Sequence, residues 1–273
     1  MSQTRLASLT WPEAKEAIES NPLVILPVGS TEAHGPHLPL DVDSHQVGYI
    51  AELVAERTGA LVAPTLPYGY ATTWMGFPGT ITLQADTYQQ VLFELVSSIL
   101  HHGFHRVMIL NGHRPNNTSV DVAARRAIDA LPPDSDATVT AVSYWEPGAA
   151  RVHALRRSQL GGMGHACEFE TSFQLATRPE LVKMERLADV RPPLVGWDLV
   201  GPSEPARTYS RWPAPSAEHP AIFGDPTVAS AESGRAFLEA VVDALVEFVR
   251  ELEAGRAGSY AERSEPEVPV TAS

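Results

Sequence analysis

The chain has 273 residues and a formal net charge of −13 at pH 7, with 33 acidic side chains against 20 Lys and Arg. So acidic a chain repels phosphate backbones and anionic lipid, which argues against nucleic acid or a membrane surface as partner and suits a protein that concentrates cations. Cys167 is the one cysteine, so no intrachain disulfide forms, and a chain of this length buries enough surface to need none.

Residues 1–11 contain one Arg and no apolar stretch of signal-peptide length. No later run approaches the roughly 20 apolar residues of a membrane helix. The expectation is a soluble cytoplasmic protein. The run Leu23-Val24-Ile25-Leu26-Pro27-Val28 predicts a short strand buried on both faces. Residues 43–58 carry Val47, Ile50, Ala51, Val54 and Ala55 at helical spacing, and residues 61–64 form a second short strand. Residues 86–102 read as an amphipathic helix, with Asp86 as N-cap and Gly103 as stop. A strand at 106–110, a helix at 117–131 and a strand at 137–142 follow. Residues 167–176 read as a helix with acids on one flank.

Residues 192–226 are rich in Pro, Gly and Ser and lack periodicity, as in a lid, an insertion or an oligomer contact. Residues 227–252 are the strongest helix, with Phe237, Val241, Leu245 and Val249 at i+4 steps. This alternation predicts a three-layer α/β/α sandwich around a mainly parallel sheet. One domain is expected over residues 1–254, followed by a polar, disordered tail at 255–273.

Three segments carry chemistry. The first runs from Gly29 to Asp43, directly after the first buried strand, and ligands of open parallel sheets bind beyond the strands' carboxyl ends. Glu32 and His34 are two apart, so an extended backbone turns both side chains the same way. Asp43 opens the next helix, either as an N-cap or folded back onto them. The second segment, Asn111-Gly112-His113, ends another buried strand at the same edge. His113 is there either a hydrogen-bonded polar group or a partner of the first three. Carboxylates with imidazoles suit Zn, Mn or Fe(II) better than Ca or Mg. The third segment, Gly164 to Ser172, brings His165, Glu168 and Glu170 to a helix start. The helix dipole accounts for the acids but not for His165, whose protonated form it disfavours; such a His can give a proton to a leaving amine. There is no Gly-x-Ser-x-Gly elbow, Walker loop, His-Glu-x-x-His or Gly-x-Gly-x-x-Gly, and a lone cysteine excludes Cys-rich zinc modules.

The segments Ser30 to Pro39 with Asp43, Phe77 to Thr80, Asn111 to His113, His165 to Ser172 and Gly224-Asp225-Pro226 resemble, in order, those of the creatininase family of metal-dependent amidohydrolases. The resemblance runs over residues 23–252. It implies two divalent metal ions per chain: Glu32, Asp43 and His113 on one, His34 and Asp43 on the other, with Asp43 bridging. The acid that completes the second set in creatinine-hydrolysing members is here Pro115, which has no ligating side chain, and Glu170 is the first choice to replace it. His165 matches the family's proton-transferring His, with Glu168 as the alternative donor.

Further departures are Arg114, Cys167 in place of a Gly, and Thr73-Trp74 in place of a Glu-His pair. Trp74, Arg114 and Trp145 are candidates to shape the substrate pocket, though each Trp is equally suited to core packing. The resemblance implies hydrolysis of a C–N bond in a cyclic amide, formamide or short peptide by a water activated between two metals. The alternatives are C–C cleavage that opens an oxidised inositol, a cyclic ketone, and a non-catalytic metal-binding scaffold. It also implies a small-molecule substrate and a homo-oligomer, a hexamer in the family.

Overall fold

All six residues of strand β1 (Leu23–Val28) are buried, and the strand's period of two sends alternate side chains into two cores. The computed structural model describes residues 4–20, 23–188, 198, 215–216 and 219–255. Leu23 and Ile25 enter a core shared with helices α2 (Val42–Thr58), α6 (Glu168–Thr177) and α7 (Ala231–Glu253). Val24, Leu26 and Val28 enter the opposite core, built with α3 (Ala85–His101) and α4 (Asn117–Asp129). Helices thus cover both faces of the sheet, giving the expected three layers.

The sheet has four strands in the order β2-β1-β3-β4, where β2 is Leu61–Val62, β3 Arg106–Asn111 and β4 Thr138–Ser143. Every pairing is parallel, so the sheet is wholly rather than mainly parallel among the described residues. The β1–β3 register aligns Val28 with Asn111, so both chains leave the sheet at the same level of its carboxyl edge. No helix among the described residues is long and apolar enough to cross a membrane.

Helix α7 buries Phe237, Val241, Leu245 and Val249 completely, the i+4 stripe expected from sequence. At roughly 1.5–3 kcal/mol for each fully buried large apolar side chain, this stripe anchors one layer. The helix begins later than its sequence suggests. Residues Pro226–Val228 form a 3₁₀ turn, and Ser230 then caps α7 by accepting from Ser233 N. Asp86 is not an N-cap: α3 starts one residue earlier, after Gln84, and Asp86 lies in its first turn. Two helices went unread, α1 (Trp11–Ser20) and α5 (Ala149–Leu155). Helix α1 buries no residue fully and packs on the core only through the partly buried Ala17 and Ile18, so its apolar stripe is short. The tail beyond 255 and nearly all of 192–214 lie outside the described residues.

Candidate metal centre

Four stretches of chain converge at the carboxyl edge of the sheet. The loop after β1 carries Glu32 and His34, the first turn of α2 carries Asp43, the end of β3 leads into His113, and α6 with its approach carries His165 and Glu170. The convergence needs backbone to pass close to backbone. A Cβ on Gly112 would lie 2.8 Å from the carbonyl oxygen of Asp43, so a glycine there lets the end of β3 approach α2. Asp43 is the second residue of α2, after Asp41 as N-cap, so it is a side chain of the first turn and not a cap.

The side chains meet around Asp43. His34 Nε2 lies 3.1 Å from Asp43 Oδ1, and His113 Nδ1 lies 2.9 Å from Asp43 Oδ2. The second contact is close but off the direction of a good hydrogen bond, so Oδ2 keeps no hydrogen-bond partner. His113 Nε2 is 3.3 Å from Glu32 Oε2 and 3.1 Å from the carbonyl of Tyr70. Glu170 Oε1 is 3.9 Å from His34 Nε2, while its other oxygen accepts from the backbone N–H of Ala166. Ligand atoms fall into triads with all members within 4.8 Å: Glu32, Asp43 and His113; His34, Asp43 and Glu170; and Glu32, His34 and His165. Asp43 belongs to the first two.

Burial sets the electrostatics. It pushes the Glu32 carboxyl up to about 8 against the pull of His113. It opposes protonation of His34 and His113, but the surrounding carboxylates win and hold them at about 10 and about 9. Asp43, although buried, is held below the usual carboxylate range by His34 and His113. Glu170 is raised to about 7, chiefly by burial. A divalent cation fits these residues. Glu32 Oε1 is buried without a hydrogen-bond partner, a costly state for a carboxylate oxygen unless a cation satisfies it, and Asp43 Oδ2 has only the misaligned ion pair with His113. A mixed set of carboxylates and imidazoles is also the donor chemistry of Zn, Mn and Fe(II).

The other predicted residues divide. His165 is buried and its Nε2 donates to the carbonyl of Ala33 at 2.8 Å, which leaves Nδ1 turned towards Glu32 Oε1 at 3.7 Å. Burial and the nearby His34 push it well below its ordinary range, so the ring is neutral with a free lone pair. Trp74 stacks on His165, with centroids 4.3 Å apart and planes 13° apart, and His165 in turn lies 4.1 Å from the His34 ring. Trp74 is thus beside the site, but 5% exposed and occupied in holding His165.

Glu168 is directed elsewhere. Its two oxygens accept from the backbone N–H groups of Arg157 and Ser158, both at 2.8 Å. Two residues apart on a helix, Glu168 and Glu170 cannot share a face, and it is Glu170 that turns to the site. Trp145 packs in the core cluster shared with α7, edge-on to Tyr144 at 4.9 Å. Arg114 is half-buried and opens the 3₁₀ turn after His113; Pro115 is exposed in that turn. Cys167 is a buried free thiol pushed up to about 12 by burial, a packing residue at the N-cap of α6.

Several supporting residues were not read from sequence. Ser30 Oγ donates to Glu32 Oε2 at 3.2 Å. Tyr144 donates to Gln46 Oε1 at 2.7 Å, and Gln46 Nε2 donates to the carbonyl of Glu170 at 3.1 Å. Their signal was position alone: Ser30 two residues before Glu32, and Gln46 one turn after Asp43.

The creatininase family model, described as creatinine amidohydrolase, matches residues 7–249. The chain belongs to the creatininase family. It is similar to a creatinine amidohydrolase of Pseudomonas putida, 33% identical over 260 residues that span 90% of this chain and 96% of that protein. A 3-dehydro-scyllo-inosose hydrolase of Thermotoga maritima is 29% identical, covering 90% of this chain and 82% of the relative. A mycofactocin precursor peptide peptidase of Mycobacterium ulcerans is 32% identical, covering 81% and 82%. Among solved structures, a creatininase variant of Zn–Zn type superposes with a TM-score of 0.78 at 29% identity, covering 92% of this chain and 99% of that one. A manganese creatininase gives 0.79 at 28% identity, with the same coverage. The chain is a metal-dependent amidohydrolase of the creatininase family, and the residues converging on Asp43 are its candidate metal ligands.

Proposed function

We propose that this amidohydrolase holds two divalent metal ions, Zn, Mn or Fe, and hydrolyses a C–N bond in a cyclic amide, formamide or short peptide other than creatinine. Two triads sharing Asp43, with Glu32 Oε1 buried and without a hydrogen-bond partner, carry this reading. Glu32, Asp43 and His113 hold one ion; His34, Asp43 and Glu170 hold the other, Glu170 standing in for the acid that Pro115 lacks. When bound, such ions acidify a water and polarise a carbonyl.

His165 keeps a proton on Nε2 against the Ala33 carbonyl and offers its Nδ1 lone pair towards Glu32. A proton taken up at Nδ1 from the attacking water passes to the departing nitrogen as the C–N bond breaks, so that the amine leaves protonated. The Trp74 stack and the Ala33 carbonyl hold the ring in place for both transfers. Glu168 tethers residues 157–158 behind α6 and takes no proton. Arg114, half-buried beside His113, is the candidate to meet an anionic or carbonyl-rich substrate group.

A second reading, ring opening of a cyclic ketone by C–C cleavage, draws support from the Thermotoga relative. The proposed setting is one catalytic domain over residues 1–254 of a cytoplasmic homo-oligomer. The test is a substrate panel of formamides, cyclic amides, cyclic ketones and short peptides, with and without chelator, against creatinine. Chelator-sensitive turnover of an amide with poor creatinine hydrolysis is expected. A kcat/KM for creatinine above about 10⁴ M⁻¹s⁻¹ would refute the substrate reading.

A further inference from the structure

His37 lies three residues beyond His34, is 1% exposed, and belongs to none of the triads. Its Nε2 reaches Thr171 Oγ1 at 2.9 Å across 134 residues of sequence. Its Nδ1 is buried with no partner, so the Thr171 contact is the ring's single hydrogen bond. The ring is admitted by Gly35: with φ at +65°, a Cβ there would stand 2.6 Å from His37 Nδ1. The backbone of the ligand loop is thus shaped to let this imidazole through to α6.

Thr171 is fully buried and follows Glu170 directly in the first turn of α6. Its hydroxyl is otherwise 3.5 Å from the carbonyl of Ala166, too long for a strong bond. Ala166 itself sits at φ +49°, an unfavourable conformation for a residue with a Cβ, and its N–H donates to Glu170. The turn that presents Glu170 is therefore under strain and needs holding from outside. Gln46 holds the Glu170 carbonyl, and a bidentate pair of Arg178 with Asp41, at 2.8 and 2.9 Å, holds the far end of the helix. His37 is the side chain that reaches this turn from the loop bearing His34.

We propose that His37 is a positioning residue for the second metal group: its bond to Thr171 locks the ligand loop to the first turn of α6 and so brings Glu170 within reach of His34 and Asp43. This inference rests on the reading of Glu170 as a ligand. Outer partners that orient ligands typically cost about 10–100-fold in metal affinity when removed.

The experiment is titration of the metal-free protein with Zn²⁺ against a competing chelator, in the parent chain and in Thr171→Val, Thr171→Ser, His37→Phe and Glu170→Gln. Thr171→Val removes the hydroxyl at nearly constant volume, and His37→Phe removes Nε2 but keeps a ring. Both are expected to weaken the second equivalent about 10–100-fold and leave the first unchanged, while Thr171→Ser keeps both. The melting temperature of each metal-free variant verifies folding, and if one of the pair does not fold the other decides. Parent affinity for both equivalents, or equal weakening of both, overturns the inference. If that happens while Glu170→Gln loses the second equivalent, the His37 inference alone fails. If Glu170→Gln binds both ions as the parent does, the ligand reading fails and the inference falls with it.

Discussion

Glu32 and His113 come to their triad from the ends of two adjacent strands in parallel register, with Val28 opposite Asn111. Glu170 comes to the neighbouring triad from the first turn of a helix, tethered by single hydrogen bonds such as that between His37 and Thr171, 134 residues apart. The first group inherits its geometry from the sheet, whose hydrogen-bond ladder fixes where both strands end. The second depends on side-chain bridges and on a strained turn at Ala166. Asp43 stands in both. A sheet-built half and a helix-built half should therefore respond differently to perturbation, the second being the easier to lose.

The largest effect is expected where the halves join. Asp43→Ala should lose both metals and all measurable turnover, because one side chain serves both triads; metal content by plasma mass spectrometry checks this. Retention of either ion at parent affinity would show that the triads do not share Asp43. Next, His165→Ala should retain its metals and drop kcat by about 10²–10⁴-fold, the usual worth of a positioned proton donor. Loss of an ion in this variant would instead make His165 a ligand in the Glu32, His34 and His165 triad.

His34→Ala should then distinguish the halves, weakening one ion about 10–100-fold or more and sparing that held by Glu32, Asp43 and His113. Equal loss of both would dissolve the distinction. The mildest effect is on pH. His34 and His113 are raised to about 10 and about 9 in the metal-free protein, so at neutral pH both carry a proton that metal must displace. Metal uptake should release protons, and affinity should rise with pH through neutrality and fall on acidification. Calorimetry in two buffers of different ionisation enthalpy measures the release; uptake without protons released would contradict these assignments.

The same contrast decides how much was legible in the sequence. Topology brings Glu32, His34 and His113 to one edge, because residues beyond neighbouring parallel strands meet there, while Asp43 read equally well as an N-cap of α2. Strand β1 was equally plain, since burial on both faces writes itself as an uninterrupted apolar run, here residues 23–28. Helical spacing alone does not say which of two acids on α6 turns inward; the family resemblance put Glu170 first. Glu168 and Glu170 differ by about 200° around a helix axis, and only the packing of α6 on α2 says which faces the site.

Helix α1 left a subtler signal than an apolar stripe. Glu13 Oε2 accepts from both the N–H and the hydroxyl of Thr10, the Ser/Thr-x-x-Glu pattern of a capped helix start. The side chains that brace the site, His37, Gln46 and Tyr144, touch groups remote in sequence, and pairings of that kind carry no local pattern.

The most direct test of a shared, two-ion centre is the metal content of the purified and reconstituted protein, read beside that of Glu170→Gln. The parent should hold near two equivalents of Zn, Mn or Fe per chain, and the variant near one. A parent with no metal after reconstitution, or with a single equivalent that Glu170→Gln leaves untouched, would contradict it.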